Sequence, residues 1–328
     1  LPGRNAAKTA SNAAAMRRWL GVAETVLANH SDRLNAINIF PVPDGDTGTN
    51  LYLTAHAAAT AAAECDSVDL GTVVAAGARA AMEEARGNSG TLLAVFLDAF
   101  AVPLAGQTRL TGPLLAEALH RSEIRAWSAL SEPVEGTMLS VLGSAAVAAA
   151  EAAASADAAG ADSNATLSRV LGDVIDAAVH AVVDTEGQLA TLHDAKVVDA
   201  GAVGLLLVLG ALRSAVLGEG LAEPVLDALH GYHVQDPHIH GDQPPAEGVE
   251  LMCTITLSPL DAAGLRHRLD ELGESVIMSP LGTLDEDSGC VRWRVHVHVI
   301  DPEAALAEIR RVGEPERVSF TELHSDAV

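Results

Sequence analysis

Asn38-Ile39-Phe40-Pro41-Val42-Pro43-Asp44-Gly45-Asp46-Thr47-Gly48-Thr49-Asn50 is a proline-delimited loop that opens onto an apolar helical run. Asp44 and Asp46 stand on either side of Gly45, so a tight turn can aim both carboxylates at one cation. Mg²⁺ takes hard oxygen ligands and usually keeps substrate phosphates in its shell, which suits an Asp-x-Asp anchor. Gly48 lets backbone approach a phosphate, Thr47 or Thr49 can cap the helix that follows, and free N–H groups at a helix start favour an anion. The same residues are also ordinary turn chemistry. A calcium loop is excluded, because no glutamate stands at the end of a twelve-residue loop begun at either aspartate. Two readings stay open on pattern alone: a metal–phosphate loop and a structural turn.

The chain around this loop has 328 residues, enough for two domains with a core each. Its 44 acidic residues against 20 basic ones give a formal net charge of −24. Such a field repels nucleic acid and anionic membranes, and an anionic substrate such as ATP would need cations to bind. Cys65, Cys253 and Cys290 are too few for a disulfide framework, which points to a reducing, cytoplasmic setting. No leader segment is legible, though the chain starts on Leu1, as a trimmed sequence would. The most apolar run, Ala202 to Leu212, stops at Arg213 and reads as too short for a bilayer, so no membrane insertion is expected.

Two periodicities divide the sequence. From Ser11 to about Leu229 apolar residues recur at three- and four-residue steps in eight segments: 13–27, 51–63, 72–85, 90–101, 114–130, 137–154, 165–183 and 203–217. Ser11, Thr49, Asp69 and Ser163 are plausible caps. Eight helices without a convincing strand indicate an all-α bundle or helical barrel. Residues 231–247, with His233, His238 and His240, read as a solvated linker, metal binding being the alternative. After Gly248 the period becomes two. The order βαββαβ predicts a small α+β sandwich of ferredoxin-like type, with Val291, Trp293, Val295, Val297 and Val299 on one strand face and Arg292, Arg294, His296 and His298 on the other. The division is thus 1–230, a linker, and 248–328.

Three further glycine-bearing helix starts accompany the first loop. Ala85-Arg86-Gly87-Asn88-Ser89-Gly90 offers backbone N–H groups for phosphate; Glu135-Gly136-Thr137 precedes Met138, and Asp199-Ala200-Gly201 precedes Val203. Gathered at one end, these starts would form a nucleotide cup lined with positive dipole ends. In the second half, His296 and His298 have the spacing of two imidazoles on one metal, and Cys253 could complete an N₂S set favouring zinc. Alternation puts Cys253 with the apolar residues, however, so a bulge, a twist or burial of both faces would be needed to join them. A core cysteine with two exposed histidines is the other reading.

Together these residues resemble the fatty acid kinase ATP-binding subunit, whose first domain is related to the nucleotide-binding domain of dihydroxyacetone kinases. The resemblance covers nearly the whole chain. It implies an eight-helix barrel holding ATP through Mg²⁺, with one or two ions on Asp44 and Asp46 and Asn38 where a further ligand would be sought. It implies nucleotide contacts from Thr47, Gly48, Thr49, Asn50, Asn88, Ser89, Gly90, Thr137, Met138, Asp199 and Gly201. It also implies zinc on Cys253, His296 and His298, a homodimer, and a partner fatty-acid-binding protein that presents the acyl substrate. Two departures stand out: the family's Gly-Gly-Gln-Gly reads Gly201-Ala202-Val203-Gly204 here, and the chain stops at Val328, near where the family's third domain would begin. The sequence is therefore expected to be either part of a longer chain or a short form. The function implied is transfer of phosphate from ATP to a fatty acid carboxylate, with a dihydroxyacetone-type hydroxyl kinase and an ATP-binding regulatory or scaffold protein as alternatives.

Overall fold

The computed structural model describes residues 9–157, 160–232, 248–281, 284–285 and 287–323. Its first part contains α1 (Ala13–Ala36), α2 (Thr47–Glu64), α3 (Leu70–Glu84), α4 (Gly87–Ala101), α5 (Gly112–Ala129), α6 (Met138–Ala154), α7 (Asn164–Gln188), the short α8 (Ala190–Ala195), α9 (Ala200–Leu217) and the short α10 (Glu223–Asp227). The eight long helices coincide with the eight periodic segments. Each packs on the next in the chain, and α9, which also touches α6 and α7, returns to α1. Asp69 and Ser163 cap α3 and α7, as their sequence positions predict. Asn12 rather than Ser11 caps α1, and α2 starts at Thr47, so Thr49 lies within its first turn rather than at its cap.

The core is built mostly from alanine, leucine and valine, with one aromatic knot. Trp19 meets Phe96 edge-on at 6.3 Å and Phe100 at 5.0 Å between centroids, and its indole N–H donates to Val208 O at 3.0 Å. That knot ties α1 to α4 and α9. At 18 residues α9 is long and apolar enough, by length and composition, to cross a membrane, which revises the shorter run read from the sequence. Its surroundings account for its composition, because 83% of it is buried among the other helices.

Small residues set the helix spacing. A Cβ added at Gly48 would lie 2.2 Å from Ser31 O, so α2 can approach α1 this closely only without one. Tyr232 closes the helical part, stacking on His30 of α1 at 5.9 Å with its hydroxyl 2.7 Å from the His30 Nδ1. His233, His238 and His240 of the expected linker lie outside the described residues.

The second part runs β1 (Val249–Leu257), α11 (Pro259–Leu272), β2 (Gly273–Pro280), β3 (Val291–Val299), α12 (Pro302–Val312) and β4 (Glu316–Glu322). The strands form one antiparallel sheet in the order β2-β3-β1-β4. Leu251, Cys253, Ile255, Val295 and Val297 share a core with Leu265 and Leu269 of α11 and Ile309 of α12. The opposite face is buried as well, against the helical part. Leu130 bridges Ile277 of β2, Ser131 donates its hydroxyl to Val276 O at 2.8 Å, and Arg266 reaches the carbonyls of Ser128 and Ala129 at the end of α5.

Gly48→Ala should therefore destabilise the fold by about 1–3 kcal/mol through overpacking against a backbone that cannot yield cheaply. A urea titration followed by circular dichroism measures this; an unchanged midpoint would mean that α1 and α2 separate freely.

Candidate functional site

The Asp-x-Asp loop is organised from within. Gly45 takes a left-handed φ of +66°, which lets the chain reverse between the two aspartates. Buried Asn38 donates to Asp44 Oδ1 at 2.6 Å and to Val42 O at 3.3 Å, while its own oxygen accepts from the Thr47 hydroxyl. Asn38 thus braces Asp44, and it lines the same cavity as both aspartates. Asp46 bonds the Asn50 side chain, whose nitrogen lies against Gly87 at the start of α4.

Burial, then the charge of Asp46, pushes Asp44 above the usual carboxylate range. Burial raises Asp46 too, with a further push from Glu250 and relief from the Asn50 bond. Two carboxyls this close and this shielded cannot both ionise cheaply without a cation.

The start of α2 is spoken for, which corrects part of the sequence reading. Asn35 accepts from the Gly48 N–H at 2.7 Å and the Thr49 N–H at 3.2 Å, and donates to the Thr49 hydroxyl at 3.0 Å. Gly48 and Thr49 therefore face α1 rather than a ligand. Nothing in the motif marks Asn35, thirteen residues upstream of Gly48. Gly90 likewise serves packing, since its missing Cβ leaves room for Thr54 Oγ1 of α2 at 2.6 Å.

The other helix starts converge on a cleft of about 320 Å³. Asn88, Ser89 and Leu92 come from α4, Thr137 and Met138 from the start of α6, Asp199 and Gly201 from the start of α9, and Thr47 from α2. Arg86, at the N-cap position of α4, makes no side-chain cap bond; Glu250 takes the Gly87 N–H, and Asn88 Oδ1 is buried without a partner. Thr137 instead caps α6 by accepting from Leu139 N–H at 3.3 Å. Asp199 caps α9, accepting from Ala202 N–H at 2.7 Å, and also takes bonds from the Met138 and Gly201 backbone. Burial nevertheless pushes Asp199 up to about 7. Phe40, Leu130 and Val134 add apolar wall, and Asp270, Glu274 and Ser275 close the cleft from the sheet side.

A second cavity of about 170 Å³ adjoins it through Pro41, Thr47, Asn88 and Ser89. Its walls include Asp44 and Asp46 from the loop, and Glu250 and His298 from the sheet. Glu250 carries no motif of its own. Antiparallel pairing sets it opposite His298 and puts His296 opposite Met252, so Glu250 and both histidines point from the same face.

The ligand atoms of Glu250, His296 and His298 lie within 4.8 Å of one another. His296 donates from Nδ1 to Ser275 O at 3.1 Å, which turns its Nε2 toward Glu250. That nitrogen stands 3.0 Å from Glu250 Oε1 but off the line of a hydrogen bond; like His298 Nδ1, it is buried without an aligned partner. Burial works to raise Glu250, yet the close approach of the His296 imidazole, the charges of both histidines and the Gly87 N–H outweigh it and hold the carboxyl at about 2. Burial, then the His296 charge, lowers His298 to about 3. Two buried imidazole nitrogens and a carboxylate form a His₂Glu set suited to zinc.

Cys253 does not belong to that set. It pairs with Val295, packs in the apolar core on the other face, and burial pushes its thiol up to about 12. A bulge does occur beside it in the β1–β4 pairing, but the β1–β3 register runs unbroken through it, and alternation holds. The histidines, for their part, are buried rather than exposed.

Comparison with known proteins agrees with this two-part build. Uncharacterized proteins of Staphylococcus aureus strains USA300 and COL are each 28% identical over 296 residues, covering 88% of this chain. The chain spans about half, 51%, of the length of these curated relatives. The crystal structures of the dihydroxyacetone kinase of C. freundii, in native form and in complex with AMP-PNP and Mg²⁺, are 19% and 20% identical. Each has a TM-score of 0.45 and covers 66% of this chain and 36% of its own. Residues 41–214 match the DAK2 domain, and residues 248–327 match the FakA-like middle domain of fatty acid kinase. The chain belongs to the DAK2 domain family, in the arrangement that joins this domain to a FakA-like middle domain.

Proposed function

We propose that this chain is the ATP-binding part of a kinase that phosphorylates a carboxylate, its acceptor being a fatty acid presented by a partner fatty-acid-binding protein. The observation that carries the reading is the joined cleft: an apolar pocket, the start of α4 and a half-buried aspartate pair lie along two adjoining cavities. The apolar part suits a nucleoside, with Leu92, Met138 and Val134 against the base. Asn88 and Ser89 at the start of α4 suit the phosphates, because that end of the helix carries free N–H groups and a positive dipole. Asp44 and Asp46 would hold one or two Mg²⁺, which supply charge neutralisation for the phosphate chain.

Phosphoryl transfer rests mostly on positioning and electrostatics. The carboxylate oxygen attacks the terminal phosphorus, the bond to the bridging oxygen breaks, and ADP leaves. An acceptor that is already ionised needs no strong general base. The acyl-acceptor identity draws support from the middle-domain match at 248–327. The eight-helix circuit supports a barrel, and 1–230 and 248–328 serve as the two units, on either side of a linker. A homodimer and a cytoplasmic setting complete the proposal. Glu250, His296 and His298 would hold Zn²⁺ in a structural role, since phosphate chemistry prefers harder cations.

Asp44→Asn and Asp46→Asn should each lower Mg²⁺-dependent phosphate transfer at least a hundredfold, with the helical circular dichroism spectrum kept. Wild-type turnover in both variants would remove the metal assignment. A carboxyl raised by burial favours the fold when protonated, so Asp44 contributes fully below about pH 4, and the contribution falls as pH rises toward about 8. The melting temperature of metal-free protein should accordingly drop over that window, with a shallower slope in Asp44→Asn, and added Mg²⁺ should restore most at its upper end. Parallel slopes for wild type and Asp44→Asn would contradict the shift. For the second metal, elemental analysis should find zinc retained in Cys253→Ser and lost in His298→Ala; the reverse pattern would return Cys253 to the site.

A further inference from the structure

The short turn between α3 and α4 is gripped from both sides by the sheet. Arg294 of β3, buried to 6% exposure, donates from Nη2 to Ala85 O at 3.2 Å. Two residues on, the Gly87 N–H donates to Glu250 Oε1 of β1 at 2.8 Å. Gly87 itself is left-handed at φ +61° and packs against the Asn50 amide, leaving no room for a side chain.

The charges match the helix ends they meet. Arg292 and Arg317 reach Glu83 at 3.9 and 3.3 Å, and Arg317 reaches Glu84 at 3.6 Å, so three sheet arginines gather at the carbonyl end of α3. The one carboxylate of the set, Glu250, meets the N–H end of α4. Cations at a helix C-terminus and an anion at an N-terminus are each the favourable sign. Buried charges of this kind are costly unless bonded. The two buried ones, Arg294 and Glu250, bond the backbone of a single turn.

We propose that Arg294 is a positioning residue: the sheet sets the 85–87 turn through Arg294 and Glu250, and thereby aims the start of α4 into the joined cleft. The helical part does not fix this geometry alone, because α4 has no side-chain cap of its own. The consequence for nucleotide binding rests on the kinase reading above. The grip on the turn does not.

Two measurements on the full chain separate these points. Hydrogen exchange of the 85–91 segment is read in the absence of nucleotide, with the start of α6 (Met138 and Leu139) as an internal control that touches none of the arginines. Calorimetry with ADP and Mg²⁺ reads the cleft. Arg294→Met, which keeps bulk beside Met252 but removes the donor and the charge, should raise exchange in 85–91 at least threefold over the control and weaken ADP at least tenfold. Arg294→Lys should recover part of both. If Arg294→Met does not fold, the double variant Arg292→Gln/Arg317→Gln, altered at partly exposed side chains, should loosen the same segment in the same direction. Unchanged exchange in 85–91 overturns the proposal. Wild-type protein that binds no ADP, with exchange raised in Arg294→Met, overturns the kinase reading and leaves the positioning role standing.

Discussion

Asp44 and Asp46 repel one another in a place where water cannot fully solvate either, and the surrounding site is an answer to that repulsion. Asn38 and Asn50 each bond one of the pair, yet both carboxyls remain raised. Three helix starts at the larger cleft present their positive ends nearby. The sheet moves the balance the other way by adding Glu250, a charge offset by the imidazoles beside it and by the Gly87 N–H. In a chain of net charge −24, an arriving polyphosphate adds still more. Cations are the one species that relieves every member of this set together.

Such an arrangement demands close backbone approach, and small residues supply it. Gly48 admits α1 and Gly90 admits α2, while the Cβ that Gly204 lacks would fall 2.2 Å from Leu51 Cδ1. Glycines that resemble phosphate-loop residues in the sequence thus work largely as spacers between helices. The distinction matters for the site, since a helix start is an anion site only if its N–H groups are free. At α2 the Asn35 side chain fills that position. At α4 Glu250 takes the Gly87 N–H, and Arg86 at the N-cap position adds no side-chain bond.

Periodicity carries the fold because burial is periodic: the eight long helices and the βαββαβ order follow from which positions must face a core. The four glycine motifs are legible for the same reason, as punctuation between apolar runs. What periodicity does not encode is which polar groups find each other across the chain. Asn35 carries no motif, and Glu250 looks like one polar residue at the edge of a strand until the β1–β3 register sets it opposite His298. Cys253 is a different case. Its alternation with Leu251 and Ile255 places it in the apolar core, the family resemblance points to the metal instead, and the parity prevails. Side-chain parity in a strand changes only where the backbone does, and the β1–β3 pairing is regular there.

The polar face of the sheet makes sense only when docked. As a free layer it would show water Glu250, Arg294, His296 and His298, an ordinary solvated surface. Against the helices all four are buried, at 6%, 6%, 0% and 5% exposure, and each must find a bond or carry a desolvation cost of several kcal/mol. Arg294 finds Ala85 O, Glu250 finds the Gly87 N–H, and His296 finds Ser275 O in the wall of the larger cleft. The groups left over are Arg294 Nε and, turned toward the same small space, His296 Nε2 and His298 Nδ1. A hydrophobic face would have docked the two parts more cheaply. A face that buries charge and leaves two imidazole nitrogens open is better explained by what it positions and by the cation it can hold.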